Sequence, residues 1–269
     1  MREAERLREI QALVQANGYA RADELCRLTG ASAATLRRDL AKLDGAGRIR
    51  RVHGGAQALL PKSSIRPDRL ATGSFSAGRL RNVAQKRAIA RAAAALCRPH
   101  ESIIINAGTT TFQMVDFLRD ADLQIVTNSF PMAQALVAQT QNRVLMPGGE
   151  IRREQGIVLS PFDDDGLHRM AAKRMFMGAH SVGPLGVIEG DPLIARAETK
   201  LLARAEELVV MVDSSKFEPR GSHAVCALSR VSILITDSGI PASAREMLQS
   251  AGLSLIVTEV EETDLTVVA

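Results

Sequence analysis

Ser102-Ile103-Ile104-Ile105-Asn106 sets three isoleucines in a row between polar ends, and it opens a series of short apolar segments that runs through the rest of the chain. The series continues at Gln124–Thr127, Arg143–Met146, Met175–Met177, Leu208–Val212, Ile233–Thr236 and Leu253–Val257. A strand with no polar face has to be covered on both sides. The stretches between have helical spacing, at Val83–Cys97, Phe112–Arg119, Pro131–Gln139, Arg196–Glu207 and Ala242–Ala251. This alternation predicts an α/β domain, a mainly parallel sheet with helices on both faces. No apolar run approaches the roughly 20 residues that span a bilayer. The charged start, Met1-Arg2-Glu3-Ala4-Glu5-Arg6, lacks the apolar stretch of a secretory signal. A cytoplasmic protein with no membrane partner is expected.

Before about Leu80 the pattern is different. A chain of 269 residues leaves room for about two domains. Residues 1–62 carry 12 Lys+Arg and 7 Asp+Glu, whereas the remainder carries 22 and 23, so the positive excess lies wholly in the first quarter. That asymmetry points to an anionic partner there, nucleic acid foremost. Leu7, Ile10 and Val14 mark a first helix over Glu3–Asn17. A second covers Ala22–Thr29, with Leu25 and Leu28 inward. Ser32 is placed to cap a third, which runs to Asp44 with Leu36, Leu40 and Leu43 as its apolar stripe. Arg48 to Ala56 reads as a hairpin turning at Gly54-Gly55. Three helices and a hairpin make a winged helix-turn-helix over residues 1–60. Pro61, Pro67, Gly73 and several serines mark a linker over 61–79, and the α/β domain takes 80–269.

The third helix carries Thr35, Arg37, Arg38 and Lys42 off its apolar stripe. A guanidinium donates two parallel hydrogen bonds and so suits phosphate or a guanine edge. A helix that points its first turn into the major groove brings Ser32, Ala33, Thr35 and Arg37 closest to the bases. Arg50, Arg51 and His53 on the hairpin are placed to clamp flanking phosphate or to enter the minor groove. A charge run is also what a solvated helix face looks like; the helix-turn-helix frame, the basic hairpin and the regional charge together favour double-stranded DNA. Asp39 is the odd residue on such a helix and is expected to pair with a nearby arginine and orient it.

In the α/β part, Asn106-Ala107-Gly108-Thr109-Thr110-Thr111 lies between a strand and a helix. Gly108 lets the backbone approach a ligand, and the threonines bring hydroxyls and N–H groups to a helix start, which favours anions. A Gly-Thr turn also often does no more than cap a helix. Further strand ends carry Thr127-Asn128-Ser129, Gly148-Gly149-Glu150-Ile151-Arg152, Gly178-Ala179-His180 and Asp213-Ser214-Ser215-Lys216. Ligands of open α/β sheets bind outside the carboxyl ends of strands, so these segments are expected to share one pocket edge. Lys216 offers charge for an anionic group. Glu198 and Asp213 are expected to accept hydroxyl hydrogen bonds, and His180 is placed to touch a sugar, although it is equally an ordinary loop histidine.

Ala31-Ser32-Ala33-Ala34-Thr35-Leu36-Arg37-Arg38-Asp39-Leu40 with Arg51-Val52-His53-Gly54-Gly55-Ala56 resembles the DeoR family of bacterial transcriptional regulators. Lys86-Arg87-Ala88-Ile89-Ala90, Gly108-Thr109-Thr110-Thr111, Thr127-Asn128-Ser129, Gly148-Gly149 with Arg152, Phe176-Met177-Gly178-Ala179, Glu198-Thr199-Lys200 and Asp213-Ser214-Ser215-Lys216-Phe217 extend the likeness in order and spacing. It implies a sensor domain resembling ribose-5-phosphate isomerase, a phosphorylated sugar as effector, Gly108–Thr111 as the phosphate loop and Lys216 as a pocket residue. It also implies repression of a sugar-catabolism operon, release by the effector, and a homo-oligomer, tetrameric or larger. One short recognition helix reads few base pairs by itself and calls for at least a dimer, so a dimer or tetramer is expected. Leu159-Ser160-Pro161 and Ala179–Gly183 depart from the usual loops; the first is similar to the branch that includes the L-ascorbate-utilisation regulator.

Two other functions were weighed. Glu198, Asp213 and Lys216 are capable acid–base groups, so a sugar-phosphate isomerase-like enzyme carrying a DNA-binding domain is the alternative; an isomerase has no use for a recognition helix. A non-specific architectural DNA protein leaves the strand-end residues without purpose. Cys26, Cys97 and Cys226 stand far apart with no C-x-x-C, and His53, His100, His168, His180 and His223 show no metal-ligand spacing. No catalytic residue, metal or cofactor is expected.

Overall fold

The computed structural model describes residues 3–17, 19–52, 54–58, 75–161, 165–218, 220–261 and 264. The chain divides into two compact units, Met1–Pro67 and Asp68–Ala269.

In the first unit, α1 (Glu3–Asn17) is followed by β1 (Tyr19–Arg21), α2 (Ala22–Thr29) and α3 (Ala33–Gly45), then by β2 (Ile49–Val52) and β3 (Gly55–Ala58). Gly30 ends α2 in the left-handed region at φ 66°, which a side chain would resist. The Ser32 hydroxyl then accepts from Thr35 N and starts α3. β2 and β3 form the expected hairpin, and β1 adds to β3 as a third strand too short to read from sequence. Ile10, Val14, Leu25, Leu36, Leu40, Leu43, Ile49 and Ala56 make one core. Leu28, expected inward, is 50% exposed: α2 has eight residues, and its buried face is completed by Thr29, whose hydroxyl bonds back to Leu25 O.

Asp39 does pair with an arginine, but not one on its own helix. Its carboxylate lies 2.7 Å from Arg6 Nε, which ties the middle of α3 to α1. Asp39 is 2% exposed.

The second unit opens with α4 (Phe75–Arg79) and α5 (Val83–Ala94). The end of the segment read as linker is thus helical. β4 (Ser102–Ile105) and a 3-10 turn at Thr111–Phe117 follow, then β5 (Gln124–Thr127), α6 (Phe130–Gln139) and β6 (Arg143–Leu145). A hairpin of β7 (Glu150–Arg152) and β8 (Ile157–Leu159) leads to β9 (Ala172–Met177). Next come β10 (Ser181–Gly183), β11 (Gly186–Glu189), α7 (Pro192–Leu202), β12 (Ala205–Met211), β13 (His223–Cys226), β14 (Ile233–Asp237), α8 (Ala242–Ser250) and β15 (Ser254–Thr258). The helix expected over Arg196–Glu207 starts earlier and stops sooner, because Asp191 caps it, Pro192 occupies its first turn, and Ala205–Glu207 already pair with β9.

Seven strands form one parallel sheet in the order β15-β14-β12-β9-β4-β5-β6. Ile103, Ile105, Phe176, Val209, Met211 and Ile235 face α5, the 3-10 turn and α6. Ile104, Met175, Met177, Leu208, Val210 and Leu234 face α7, α8 and a small antiparallel sheet, β10-β11-β13. The chain moves outward from β4 through β5 to β6, then returns to β9 on the other side of β4. This reversal makes the carboxyl ends of β4 and β9 a topological switch point, where neighbouring connections part and leave a crevice.

Asp39→Ala removes the buried carboxylate to which Arg6 Nε donates. It is expected to destabilise the first unit by about 3 kcal/mol, read as an earlier loss of helical signal in urea. A midpoint equal to the parent's would show that apolar packing alone holds α1 on α3.

Candidate functional site

In the first unit the α3 surface and the hairpin present a cationic face. Ser32, Ala33, Arg37, Arg38 and Lys42 are exposed, as are Arg50 and Arg51 on β2, while Thr35 is half-buried beside Ser32. Arg37 and Arg51 border one groove, between α3 and the hairpin. The Arg51 backbone is fixed by Asp44, whose Oδ1 accepts Arg51 N at 3.0 Å. His53 lies outside the described residues.

In the second unit a cleft of about 340 Å³ opens at the switch point. It gathers Gly108, Thr109, Thr110, Gly178, His180, Glu198, Asp213 and Lys216 from the strand ends read in the sequence. Its frame is built from below. Buried Asn106 donates through Nδ2 to Glu198 Oε1 at 2.6 Å and accepts from Gly178 N through Oδ1 at 3.1 Å, joining the ends of β4 and β9 to α7. Thr111 Oγ1 donates within reach of the carbonyls of Asn106 and Gly108 and closes the loop on itself. Thr111 is therefore a brace rather than a ligand contact. A Cβ at Gly108 would sit 2.9 Å from that hydroxyl.

Several expected residues lie elsewhere, for identifiable reasons. Thr127 and Ser129 are buried in the turn that starts α6: Thr127 Oγ1 accepts from Ser129 N, and Ser129 Oγ accepts from Met132 N. Asn128 supports the phosphate-loop candidate from behind, its Oδ1 accepting Ala107 N at 2.9 Å. Gly149 is small because the β7–β8 hairpin crosses it; an added Cβ would stand 2.4 Å from Leu159 O. Arg152, with Asn128, Arg196 and Lys200, borders a separate cavity of about 200 Å³. Asp213 lines the cleft but is committed to the protein: its Oδ1 accepts from Asn82 Nδ2, Ser215 N and Ser215 Oγ.

The structure also brings in residues the sequence reading missed: Ala77, Gly78, Arg81, Asn82, Lys86, Glu189 and Arg220. Lys86 was legible in principle, since it falls on the same helical face of α5 as buried Ala90 and Ala93. Arg81, Lys86, Lys216 and Arg220 make the cleft cationic. Burial lowers the Lys86 ammonium to about 8, with Asp213 opposing and Lys216 and Arg81 adding to the shift. Burial, then Lys216 and Arg220, lowers His180 and favours its neutral form. Burial pushes Glu198 well above the ordinary carboxylate range, and Glu189 pushes it further. Glu198 Oε2 is buried with no hydrogen-bond partner among the described residues. The arrangement suits a ligand with an anionic group at the cationic side and hydroxyls toward Glu198. Among the described residues no cluster of His, Cys, Asp or Glu is placed to hold a metal, and no helix is long and apolar enough to cross a membrane.

Comparison with known proteins agrees with this layout. Residues 6–62 match the DeoR-like helix-turn-helix domain, and residues 81–238 match the DeoR C terminal sensor domain. The chain is 31% identical over 257 residues to the HTH-type transcriptional regulator UlaR of Shigella dysenteriae serotype 1, covering 95% of this chain and 99% of that one. The UlaR of Escherichia coli K12 gives the same identity and coverage. Solved structures are more distant. Ribose 5 phosphate isomerase A from Neisseria gonorrhoeae is 20% identical with TM-score 0.38, over 50% of this chain and 53% of that one. The sorbitol operon regulator SorC from Klebsiella pneumoniae is 12% identical with TM-score 0.32, over 98% of each chain. With a helix-turn-helix unit and a sensor unit both matched, and a curated regulator aligned end to end, the chain belongs to the DeoR family of transcriptional regulators.

Proposed function

We propose that the protein represses a sugar-catabolism operon and leaves its operator when a phosphorylated sugar fills the cleft at the switch point. The cleft carries the reading: four cationic side chains and a Gly-Thr loop surround one space, and a buried, hydroxyl-seeking carboxyl group forms its floor. DNA reading belongs to residues 1–60, and sensing and assembly to 80–269 together with α4, which the linker reading of 61–79 leaves out. The protein works in the cytoplasm as a dimer or tetramer, since one short recognition helix reads few base pairs and two-fold pairing lets two helices read half-sites together. It is not an enzyme. Asp213 is held by three protein donors and Glu198 Oε1 by Asn106, and a helix-turn-helix unit serves a regulator rather than an isomerase.

A thermal-shift screen against phosphorylated ketoses, aldoses and the free sugars tests the effector class, because a binder stabilises the folded state by mass action. Stabilisation by free sugars as strong as by their phosphates would reject it. Titrating the binder against protein on labelled operator should lower operator affinity by about 5–150-fold. Unchanged affinity at saturation would reject induction.

Arg37→Ala is expected to cost about 1–3 kcal/mol of operator binding and to relax preference at one base position. Arg51→Ala should instead weaken all sequences alike and reduce the salt slope by about 1. Identical sequence preference in both variants would remove Arg37 as a base reader.

Thr109→Val and Lys216→Met each remove one donor to the anionic group, and each is expected to weaken the sugar phosphate by roughly 10- to 100-fold in calorimetry. Normal binding by both would displace the anion site from this loop.

The cleft also carries a pH signature. Lys86 is charged below about 8 and neutral above it, whereas a phosphate monoester, with a second pKa near ~6, keeps its charge above neutrality. Affinity for the sugar phosphate should therefore fall by about three- to tenfold between pH 7 and pH 9. Lys86→Met should flatten that fall; an unaltered profile in the variant would assign the titration to another group.

A further inference from the structure

α4 is five residues long with none buried, too short to hold its own conformation. It is fastened to the α/β core by a few identifiable contacts. Phe75 N donates to Glu154 O at 2.9 Å. The Phe75 ring meets Phe112 edge-on with centroids 5.4 Å apart, and the Arg79 guanidinium lies 4.3 Å over the Phe112 ring. Gly78 O accepts from Lys86 Nζ at 2.7 Å, and a Cβ on Gly78 would stand 3.0 Å from the Thr109 methyl. Lys86 and Thr109 also line the cleft, so the groups that hold α4 are groups a ligand would touch.

Beside the cleft lies a chamber of about 110 Å³ that shares Ala107, Gly108, Thr109, Glu189 and Glu198 with it. Phe75, Ile157 and Ile194 form its apolar walls, with Gln155 as a polar member. A sugar offers both faces this chamber needs: C–H groups for the rings and methyls, and hydroxyls for Gln155 and Glu198. The phosphate then falls in the larger, cationic space.

We propose that α4 is a ligand-reading wall of the cleft. An effector that fills both spaces packs against Phe75 and the Ala77–Gly78 backbone and tightens α4 onto the core. Occupancy is thereby passed to the chain segment that leads back to the DNA-reading residues. This rests on the effector reading above. A ligand shifts such an equilibrium only by as much as it prefers one arrangement. An element held by so few contacts lies at the low-stability end of the molecule, where modest binding energy is enough.

The test uses the full chain. Ribose 5-phosphate, fructose 6-phosphate, glycerol 3-phosphate and inorganic phosphate are ranked by calorimetry, and the tightest sugar phosphate becomes the probe. Amide exchange at residues 75–79 should slow by about tenfold with that probe and change little with inorganic phosphate, which leaves the small chamber empty. Phe75→Ala should weaken the probe by about tenfold, leave inorganic phosphate as it was, and be largely rescued in Phe75→Leu. If Phe75→Ala misfolds, exchange in the parent and binding by Phe75→Leu still decide. Probe binding with α4 exchange unchanged, or at full affinity in Phe75→Ala, overturns this proposal alone. No binding by any sugar phosphate overturns the effector reading and this proposal with it.

Discussion

Asn106 stands at the switch point, where the order of strand addition reverses, and its amide bridges two elements there. One end holds Glu198 Oε1 on α7 and the other holds the backbone of Gly178 after β9. The strand that carries it is zipped to both β5 and β9. At a switch point the connections leave in opposite directions, so the ends of β4 and β9 have no loop in common to keep them in register with α7. A buried amide with both ends satisfied supplies that register, and leaving any of these groups unpaired would cost about 1–3 kcal/mol. The Gly-Thr loop and the Glu198 carboxyl take their positions from this joint.

The cleft contains charges of both signs in a small volume, and the protein distributes them by depth. Glu189 and Glu198 sit on the floor, where burial favours their neutral forms. Arg81 and Arg220 lie at the exposed rim, Lys216 is half-buried, and Lys86 is buried, its ammonium lowered to about 8. A dianion entering from the rim meets favourable charge first, while uncharged hydroxyls can go deeper toward Glu198.

What was legible in the sequence is what local physics dictates. Ser32, the Leu36-Leu40-Leu43 stripe and the Gly-Gly turn announce a capped helix and a hairpin without reference to the rest of the chain. The isoleucine run of β4 and the glycine after it mark a strand end open to a ligand. What could not be read depends on distance along the chain. Asp39 needs an arginine, but that the partner is Arg6 on α1, 33 residues away, is a property of helix packing. Thr127, Ser129 and Gly149 stand at strand ends as a binding residue would, yet one turn starts a helix and the other lets a hairpin pass. Strand-end position says that a residue is near the ligand-binding edge, not which way it faces. Lys86, Asn82 and α4 reach the cleft from a helix and a turn that precede the first strand, where no strand-end rule applies.

The strand order also sets an order of assembly. The groups that define the cleft are joined across 72 residues, from Asn106 to Gly178, and across 92, from Asn106 to Glu198. Pairings of such long range form late, because the loops they close must be ordered first. The helix-turn-helix unit, by contrast, is complete within the first quarter of the chain and is synthesised first; domains generally fold as units in that order. A newly made molecule thus completes its helix-turn-helix unit before it gains a cleft. The cleft also needs Asp213 to accept from Asn82, 131 residues earlier, so it exists only once most of the second unit has been made.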